Sequence, residues 1–194
     1  MRSALQATVW VVAGPPGAGK TTVARLLAAR LSPPAAMLDK DTVYGGFAAA
    51  VIATAGEAPG RREGPWYDVH VKAYEYAGLA ATARDIRASG CPVVLVAPYT
   101  NEIHDPAQWE RLVEAVGGEP VRLVWLDCDA DSLYARLVER ASANDAAKLA
   151  DYRSYVDRMR PGEPPAVAHV AIDNRGPVTA IETQVDALVA ALPR

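Results

Sequence analysis

An eight-residue stretch near the N-terminus, Gly14–Thr21, fits the pattern G-x-x-x-x-G-K-[ST] without a mismatch. It follows the β-branched apolar run Thr8–Ala13 and precedes Lys20–Leu31, where apolar residues recur at helical spacing. The glycines of such a loop let backbone amides curl around an anion, and the N-terminus of the helix adds partial positive charge. The pattern therefore predicts a strand, a phosphate-binding loop and a helix in that order.

The composition of this loop points to a nucleoside triphosphate and Mg²⁺ as its ligands. In such a loop the lysine, Lys20, reaches the β- and γ-phosphates, and the hydroxyl of Thr21 is a ligand of Mg²⁺. Thr22 is expected at the α-phosphate. The predicted ATP contacts of this region are Gly14, Pro15, Gly17, Ala18, Gly19, Lys20, Thr21 and Thr22.

The rest of the chain alternates short apolar runs with helical stretches. The further predicted strands are Ala35–Leu38, Val93–Ala97, Val121–Leu126 and Ala168–Ile172. The further predicted helices are Trp66–Ser89, Pro106–Val116, Asp131–Arg140 and Val178–Leu192. Short, non-alternating strands separated by helices indicate an α/β fold with a five-stranded parallel sheet. We expect one domain over residues 1–194, with Thr54–Pro65 as an excursion between helices.

Charge and composition exclude several classes of protein. The net charge is −3, and Arg61-Arg62 is the one basic run that stands out, which argues against nucleic acid as a partner. No apolar run reaches the roughly 18–20 residues that span a bilayer. Two cysteines cannot form a disulfide scaffold. A cytoplasmic protein without a membrane partner, monomeric or homodimeric, is expected.

Two carboxylates stand at the end of the second predicted strand, Asp39 and Asp41. Ligands of doubly wound sheets bind at the carboxyl ends of strands. Transfer of a phosphoryl group to a hydroxyl needs a carboxylate that orients the alcohol and takes its proton, with Mg²⁺ bridging the phosphates. One alternative stays open at this point: Asp41 caps the helix that follows, and Asp39 is solvated.

With these motifs the sequence resembles the small-molecule kinases of the P-loop NTPase fold: shikimate and gluconate kinases, chloramphenicol phosphotransferase and the kinase domain of bacteriophage polynucleotide kinase. The resemblance implies three layers, a parallel sheet in the order 2-3-1-4-5 and a mobile lid. It also implies that Asp41 is the base for the acceptor hydroxyl and that Asp39 is linked to the metal. No aspartate ends the third strand, so the metal would rely on Thr21, Asp39 and the phosphates.

The resemblance also assigns roles to residues after the fourth strand. Kinases of this kind bring arginines of the lid over the transferring phosphate, which implies Arg136 as catalytic and Arg140 as nucleotide-binding, with Lys148 as a weaker candidate. The lid would span approximately residues 136–150. The loop after the last strand passes near the adenine in this family, so Asn174 or Arg175 would contact the nucleotide; a plain strand-to-helix turn explains the segment equally well.

An acceptor pocket is expected between the second and third strands and after the third. The predicted substrate contacts are Asp41, Tyr44, His70, Tyr74, Tyr99 and Asn101, within a wider set of Trp66, Tyr67, Lys72, Glu75, Tyr76, Glu102 and His104. Aromatic and polar side chains of this kind suit a hydroxylated ring or nucleoside-like ligand. Alternatively, many of these tyrosines only pack, with their hydroxyls at the surface.

These inferences predict an ATP- and Mg²⁺-dependent O-phosphotransferase acting on a hydroxyl of a small molecule. The acceptor is expected to be an antibiotic or nucleoside-like natural product, modified for self-resistance, or alternatively a sugar or other metabolite. The alternatives are a polynucleotide 5′-hydroxyl kinase, which the acidic balance opposes, and a regulatory P-loop ATPase without an acceptor.

Overall fold

A five-stranded parallel sheet forms the centre of the computed structural model, which describes residues 7–58, 60–142, 145–176 and 178–192. The strands are β1 (Val9–Ala13), β2 (Ala36–Asp39), β3 (Val93–Val96), β4 (Val121–Asp127) and β5 (His169–Asp173). Their order is β2-β3-β1-β4-β5, and every neighbouring pair is parallel. The predicted α/β class and the order 2-3-1-4-5 are confirmed, with each strand end within one residue of its predicted position.

The helices connect and cover these strands. They are α1 (Lys20–Arg30), α2 (Lys40–Thr54), α3 (Pro65–Tyr67), α4 (Ala73–Ala88), α5 (Thr100–His104), α6 (Pro106–Ala115), α7 (Ala130–Arg140), α8 (Ala146–Ala150), α9 (Tyr152–Met159) and α10 (Val178–Ala190). A π-helical segment, Asp68–Lys72, joins α3 to α4. The single helix predicted over 66–89 is therefore interrupted by a wider turn, which changes the faces on which its side chains lie.

Alternate residues of the central strands enter two cores on opposite faces of the sheet. Val9, Val11 and Ala13 of β1 pack towards α4 and α6. Trp10 and Val12 pack on the other face, towards α1 and α10. A parallel sheet covered on both faces gives the three-layer architecture.

This topology brings the carboxyl ends of β1, β2 and β3 to one edge, where the loop at 14–21, Asp39 and Ala97 follow their strands. Within the described residues, no helix combines the length and apolarity that a bilayer crossing requires. Residues 1–6 and 193–194 of the predicted domain, and residues 143 and 144 of the predicted lid, lie outside the described part of the chain.

Candidate active site

The P-loop (residues 14–21) turns from β1 into α1 through backbone conformations that favour glycine. Gly19, which precedes the first residue of α1, has φ +85°. Lys20 Nζ donates a hydrogen bond to the backbone oxygen of Pro15 at 2.9 Å. Burial lowers the pKa of Lys20 to about 8, although the nearby charges of Asp41 and Asp39 raise it. This half-buried ammonium, which among the described residues donates to a carbonyl oxygen, is suited to meet an anion in the loop.

Two distant segments hold the P-loop from outside. Asn174 Nδ2, just after β5, donates to the backbone oxygen of Ala18 at 2.5 Å. Tyr155 Oη of α9 donates to the backbone oxygen of Pro16 at 2.9 Å. Both side chains are buried. The amide of Asn174, which we predicted at the nucleotide, is thus engaged by the loop itself, because β5 ends beside α1.

Asp39 connects the end of β2 to the P-loop. Its Oδ2 accepts a hydrogen bond from Thr21 Oγ1 at 2.8 Å. Its Oδ1 accepts from the backbone N–H groups of Asp41 at 2.9 Å and Thr42 at 3.4 Å, so Asp39 is the N-cap of α2. The alternative that Asp41 caps this helix and Asp39 is solvated is therefore wrong: Asp39 is 7% exposed.

The pair of Thr21 Oγ1 and Asp39 Oδ2 fits a divalent cation. Hydroxyl and carboxylate oxygens are the hard ligands that Mg²⁺ prefers, and Mg²⁺ commonly takes one or two protein ligands while phosphates and waters complete its shell. The two oxygens already face each other across a hydrogen bond beside the phosphate loop. The predicted metal ligands are thus brought together by the fold.

Asp41, on the first turn of α2, points into the cleft with its side chain 71% exposed. Its Oδ1 forms ion pairs with Lys40 Nζ at 3.1 Å and Arg62 Nη1 at 2.9 Å. Arg62 also donates to the backbone oxygen of Gly45 at 2.7 Å, which fixes its position over α2. Partial burial raises the pKa of Asp41, but the charges of Lys40, Arg62 and Lys20 outweigh burial and lower this pKa below its ordinary value. The carboxylate is ionised at neutral pH.

A buried polar cluster lies behind Asp41. Lys40 Nζ is 3.3 Å from Glu75 Oε2, and Tyr67 Oη donates to the same oxygen at 2.8 Å. The side chain of Glu75 is 1% exposed and that of Lys40 is 10% exposed. Burial, followed by the hydrogen bond to Glu75, raises the pKa of Tyr67 far above its ordinary value. Lys40 thus joins the exposed carboxylate of Asp41 to a carboxylate in the interior.

Arginines of α7 lie over the other side of the P-loop. Arg136 donates to the backbone oxygen of Asn174, and its buried Nη1 has no hydrogen-bond partner among the described residues. Arg140 forms a bidentate pair with Asp145 at 2.6 and 2.7 Å, and Lys148 Nζ bonds to the same carboxylate at 2.8 Å. The fold therefore brings both predicted arginines to the cleft, whereas movement of a lid remains a prediction.

The cleft between the P-loop, α2, α5 and α9 has a volume of about 810 Å³. That volume is within the range of small-molecule sites. Of the six predicted substrate contacts, Asp41 and Asn101 line this cleft. From the wider set, the cleft contains Tyr67, Lys72, Tyr76 and His104.

Four predicted acceptor contacts lie elsewhere. The hydroxyl of Tyr44 lies against Gly78 of α4, and Tyr99 is 1% exposed with its ring edge-on to Tyr76 in the core. His70 is exposed beside Trp66, and Tyr74 is 71% exposed. The π-helical segment explains the last two positions, because it turns the face on which an uninterrupted helix would have placed them.

Sequence reasoning missed three arginines of the cleft, Arg62, Arg158 and Arg160. Arg62 was visible only as half of a basic pair within the excursion at 54–65, and no local pattern linked it to Asp41. Arg158 lies on α9 and forms an ion pair with Glu63 across the cleft. Both contacts join segments far apart in the chain, so spacing alone could not reveal them.

Comparison with known proteins agrees with this geometry. A family model described as an AAA domain matches residues 9–161. No curated protein sequence matches the chain. The gluconokinase of Sinorhizobium meliloti has a similar structure, with a TM-score of 0.63 at 18% identity, covering 96% of this chain and 93% of the other.

Two further solved structures are similar over nearly their whole lengths. The Mycobacterium tuberculosis APS kinase in complex with AMPPNP and APS has a TM-score of 0.58 at 18% identity, covering 94% of this chain and 95% of its own. The tunicamycin resistance protein of Deinococcus radiodurans has a TM-score of 0.55 at 19% identity, covering 96% of this chain and 98% of its own. At these identities the likeness establishes a shared fold.

Proposed function

Because this chain belongs to the AAA domain family and has the fold of P-loop small-molecule kinases, we propose that it transfers the γ-phosphate of ATP to a hydroxyl of a small molecule. The observation that carries the proposal is the arrangement at the carboxyl ends of β1 and β2. Thr21 and Asp39 form a pair of oxygen ligands 2.8 Å apart, and the ionised Asp41, two residues after Asp39, lines the same cleft.

Each side chain has a distinct task in this reaction. When bound, Mg²⁺ would neutralise negative charge on the phosphates. Lys20 stabilises negative charge on the phosphates, and so does Arg136, which lines the same cleft and whose Nη1 donor has no partner among the described residues. Asp41 orients the acceptor hydroxyl and accepts its proton as the acceptor oxygen bonds to the γ-phosphorus and the bond to ADP breaks.

The low pKa of Asp41 limits what kind of base it is. A carboxylate stabilised by two cations takes a proton late, after the bond from the hydroxyl oxygen to phosphorus has begun to form. Loose phosphoryl-transfer transition states ask little of a base before that point. Orientation of the hydroxyl is therefore the main contribution of Asp41.

For the acceptor we propose a hydroxylated natural product of antibiotic or nucleoside type. The tunicamycin resistance protein among the similar structures and the phenol, amide and imidazole groups in the cleft support this proposal. The cleft of about 810 Å³ extends from the P-loop to these groups, so nucleotide and acceptor would share one continuous cavity.

The test uses γ-labelled ATP, Mg²⁺ and a panel of nucleosides, nucleoside antibiotics, phenicols, sugars and 5′-hydroxyl oligonucleotides. We expect label on a small molecule, and Asp41→Asn to reduce transfer at least a hundredfold while affinity for ADP stays within threefold. Asp186→Asn is the matched control, because Asp186 pairs with Arg30 on the outer surface.

Two outcomes would contradict the proposal. Label that appears only on oligonucleotides would indicate a polynucleotide kinase. Release of phosphate without any acceptor that persists in Asp41→Asn would indicate a regulatory ATPase.

A further inference from the structure

The two ends of the cleft differ in charge. We call the part lined by α2, residues 62–64, the π-helical segment, α5, the start of α6 and the end of α9 the acceptor end, since it lies beyond Asp41 as seen from the P-loop. α9 closes this end against α5: Thr100 Oγ1 donates to Met159 Sδ at 3.7 Å, and His104 Nε2 lies 3.2 Å from the backbone oxygen of Glu163.

All five cations that line the acceptor end are already paired with carboxylates. The pairs are Lys40 with Asp41 and Glu75, Arg62 with Asp41, Lys72 with Asp68, Arg158 with Glu63, and Arg160 with Glu163. An anionic substituent at one of these cations would either share it with a carboxylate of the same charge or displace that carboxylate.

Carboxylates outnumber cations when the residues directly behind this wall are included. Asp41, Glu63, Asp68, Asp105 and Asp157 line the acceptor end, whereas Glu75 and Glu163 are ion-pair partners that do not line it. Asp105 accepts hydrogen bonds from Ala107 N and Gln108 Nε2, and Asp157 forms no ion pair with the described residues. The lining residues are thus five carboxylates and five cations, and with the ion-pair partners Glu75 and Glu163 included, seven carboxylates surround five cations.

The nucleotide end has the opposite character. Lys20 bonds to a backbone carbonyl, and Arg136 bonds to the backbone and side-chain oxygens of Asn174. Neither forms an ion pair within the described part of the chain, and Nη1 of Arg136 has no hydrogen-bond partner there. Cations without a carboxylate partner therefore lie where phosphate would bind and not where an acceptor would.

We propose that the acceptor carries no negative charge, being a neutral or amine-bearing hydroxyl compound; this inference rests on the proposed function. Uncharged polar groups at the acceptor end can recognise it, since Asn101, Gln108 and Tyr76 line this wall. Acceptors that carry a carboxylate, sulfate or phosphate are rejected, because they add charge of the sign already in excess. The same field opposes a polynucleotide acceptor.

The experiment compares acceptors that share their hydroxyls and differ in charge. Shikimate, D-gluconate and D-glucuronate are each paired with the uncharged primary amide, and N-acetylglucosamine is paired with glucosamine. Transfer from γ-labelled ATP is measured as kcat/KM. We expect each amide to exceed its acid at least tenfold and the amine to equal or exceed its acetylated form. Preference for the acids would overturn the proposal.

A double variant tests the physical cause. Asp68→Asn with Asp157→Asn removes two carboxylate charges from the wall. Two charges about 10 Å from a ligand in a mostly aqueous cleft are worth about a fivefold change in the ratio of acid to amide. An unchanged ratio would overturn the electrostatic argument; the ratio is insensitive to a general loss of stability.

Binding of inorganic sulfate separates this inference from the proposed function. The protein is loaded with Mg²⁺ and AMPPNP to fill the nucleotide end and is titrated with sulfate by calorimetry at constant ionic strength. We expect no binding by the unmodified protein at low millimolar sulfate. Sulfate binding that Arg62→Gln or Lys72→Met abolishes would overturn the inference even if no acceptor were found. Absence of both label and sulfate binding would count against the proposed function alone.

Discussion

Replacement of Glu75 by glutamine tests the buried cluster behind Asp41. The substitution keeps the volume of the side chain and an acceptor for Tyr67 Oη, but it removes the charge opposite Lys40, whose side chain is only 10% exposed. Loss of one partner of a buried ion pair costs about 3–5 kcal/mol. Since Lys40 keeps its pair with Asp41 at 3.1 Å, we expect the lower end, about 3 kcal/mol.

Urea unfolding, with the midpoint and slope fitted separately, measures this loss. For a chain of this length, about 3 kcal/mol corresponds to a fall in Tm of about 6–12 °C. The double variant Lys40→Met, Glu75→Gln should recover most of the stability, because it removes both buried charges and keeps an acceptor for Tyr67 Oη. Arg61→Gln is the control, since its pair with Glu57 is exposed and worth about 0.5 kcal/mol or less. The reasoning fails if Glu75→Gln costs no more than this control, or if the double variant is less stable than both single variants.

Three further predictions concern the P-loop. Burial lowers the pKa of Lys20 to about 8, so its ammonium is charged below that pH. The affinity for ADP should therefore be constant below about pH 8 and fall above it by up to about tenfold per pH unit. Calorimetry between about pH 6.5 and 9.5 measures this profile. Gly19→Ala should weaken ADP binding by about tenfold or more, because φ of Gly19 is +85° and a Cβ would lie 2.4 Å from Asn174 Nδ2. The control is Gly46→Ala, which has open space around its Cβ and should leave binding unchanged while stabilising α2 slightly. Asn174→Ala removes the donor to Ala18 O and should weaken ADP binding about tenfold, with a less than additive loss when combined with Gly19→Ala.

Much of the fold could be read from local patterns. The apolar runs gave five strands within one residue of their observed ends, and the resemblance to P-loop kinases implied their order. The reason is that a strand buried on both faces leaves a continuous apolar signature. The helix after Asp41 was expected without bounds, because two glycines and a run of alanines give α2 no clear apolar stripe. The π-helical segment was missed, since one wider turn leaves no mark on a periodicity measured over many residues.

The candidate site, like the fold, could be predicted from the sequence only where its residues form local motifs. The P-loop and the pair of aspartates are contiguous motifs, so the sequence could identify Lys20, Thr21, Asp39 and Asp41 as candidates. Which aspartate caps α2 and which faces the cleft depends on the angle at which β2 enters the helix, and the tertiary structure assigns the cap to Asp39.

The walls of the cleft depend entirely on contacts between remote segments. Arg62 reaches Asp41 across 21 positions and Arg158 reaches Glu63 across 95, and no spacing rule connects such pairs. A sequence records which side chains are available, and helical or extended periodicity orders only those within a few turns of each other. The charge balance of the acceptor end arises when the sheet brings β2, β3 and the segments after them to one edge, so it exists only in the folded molecule.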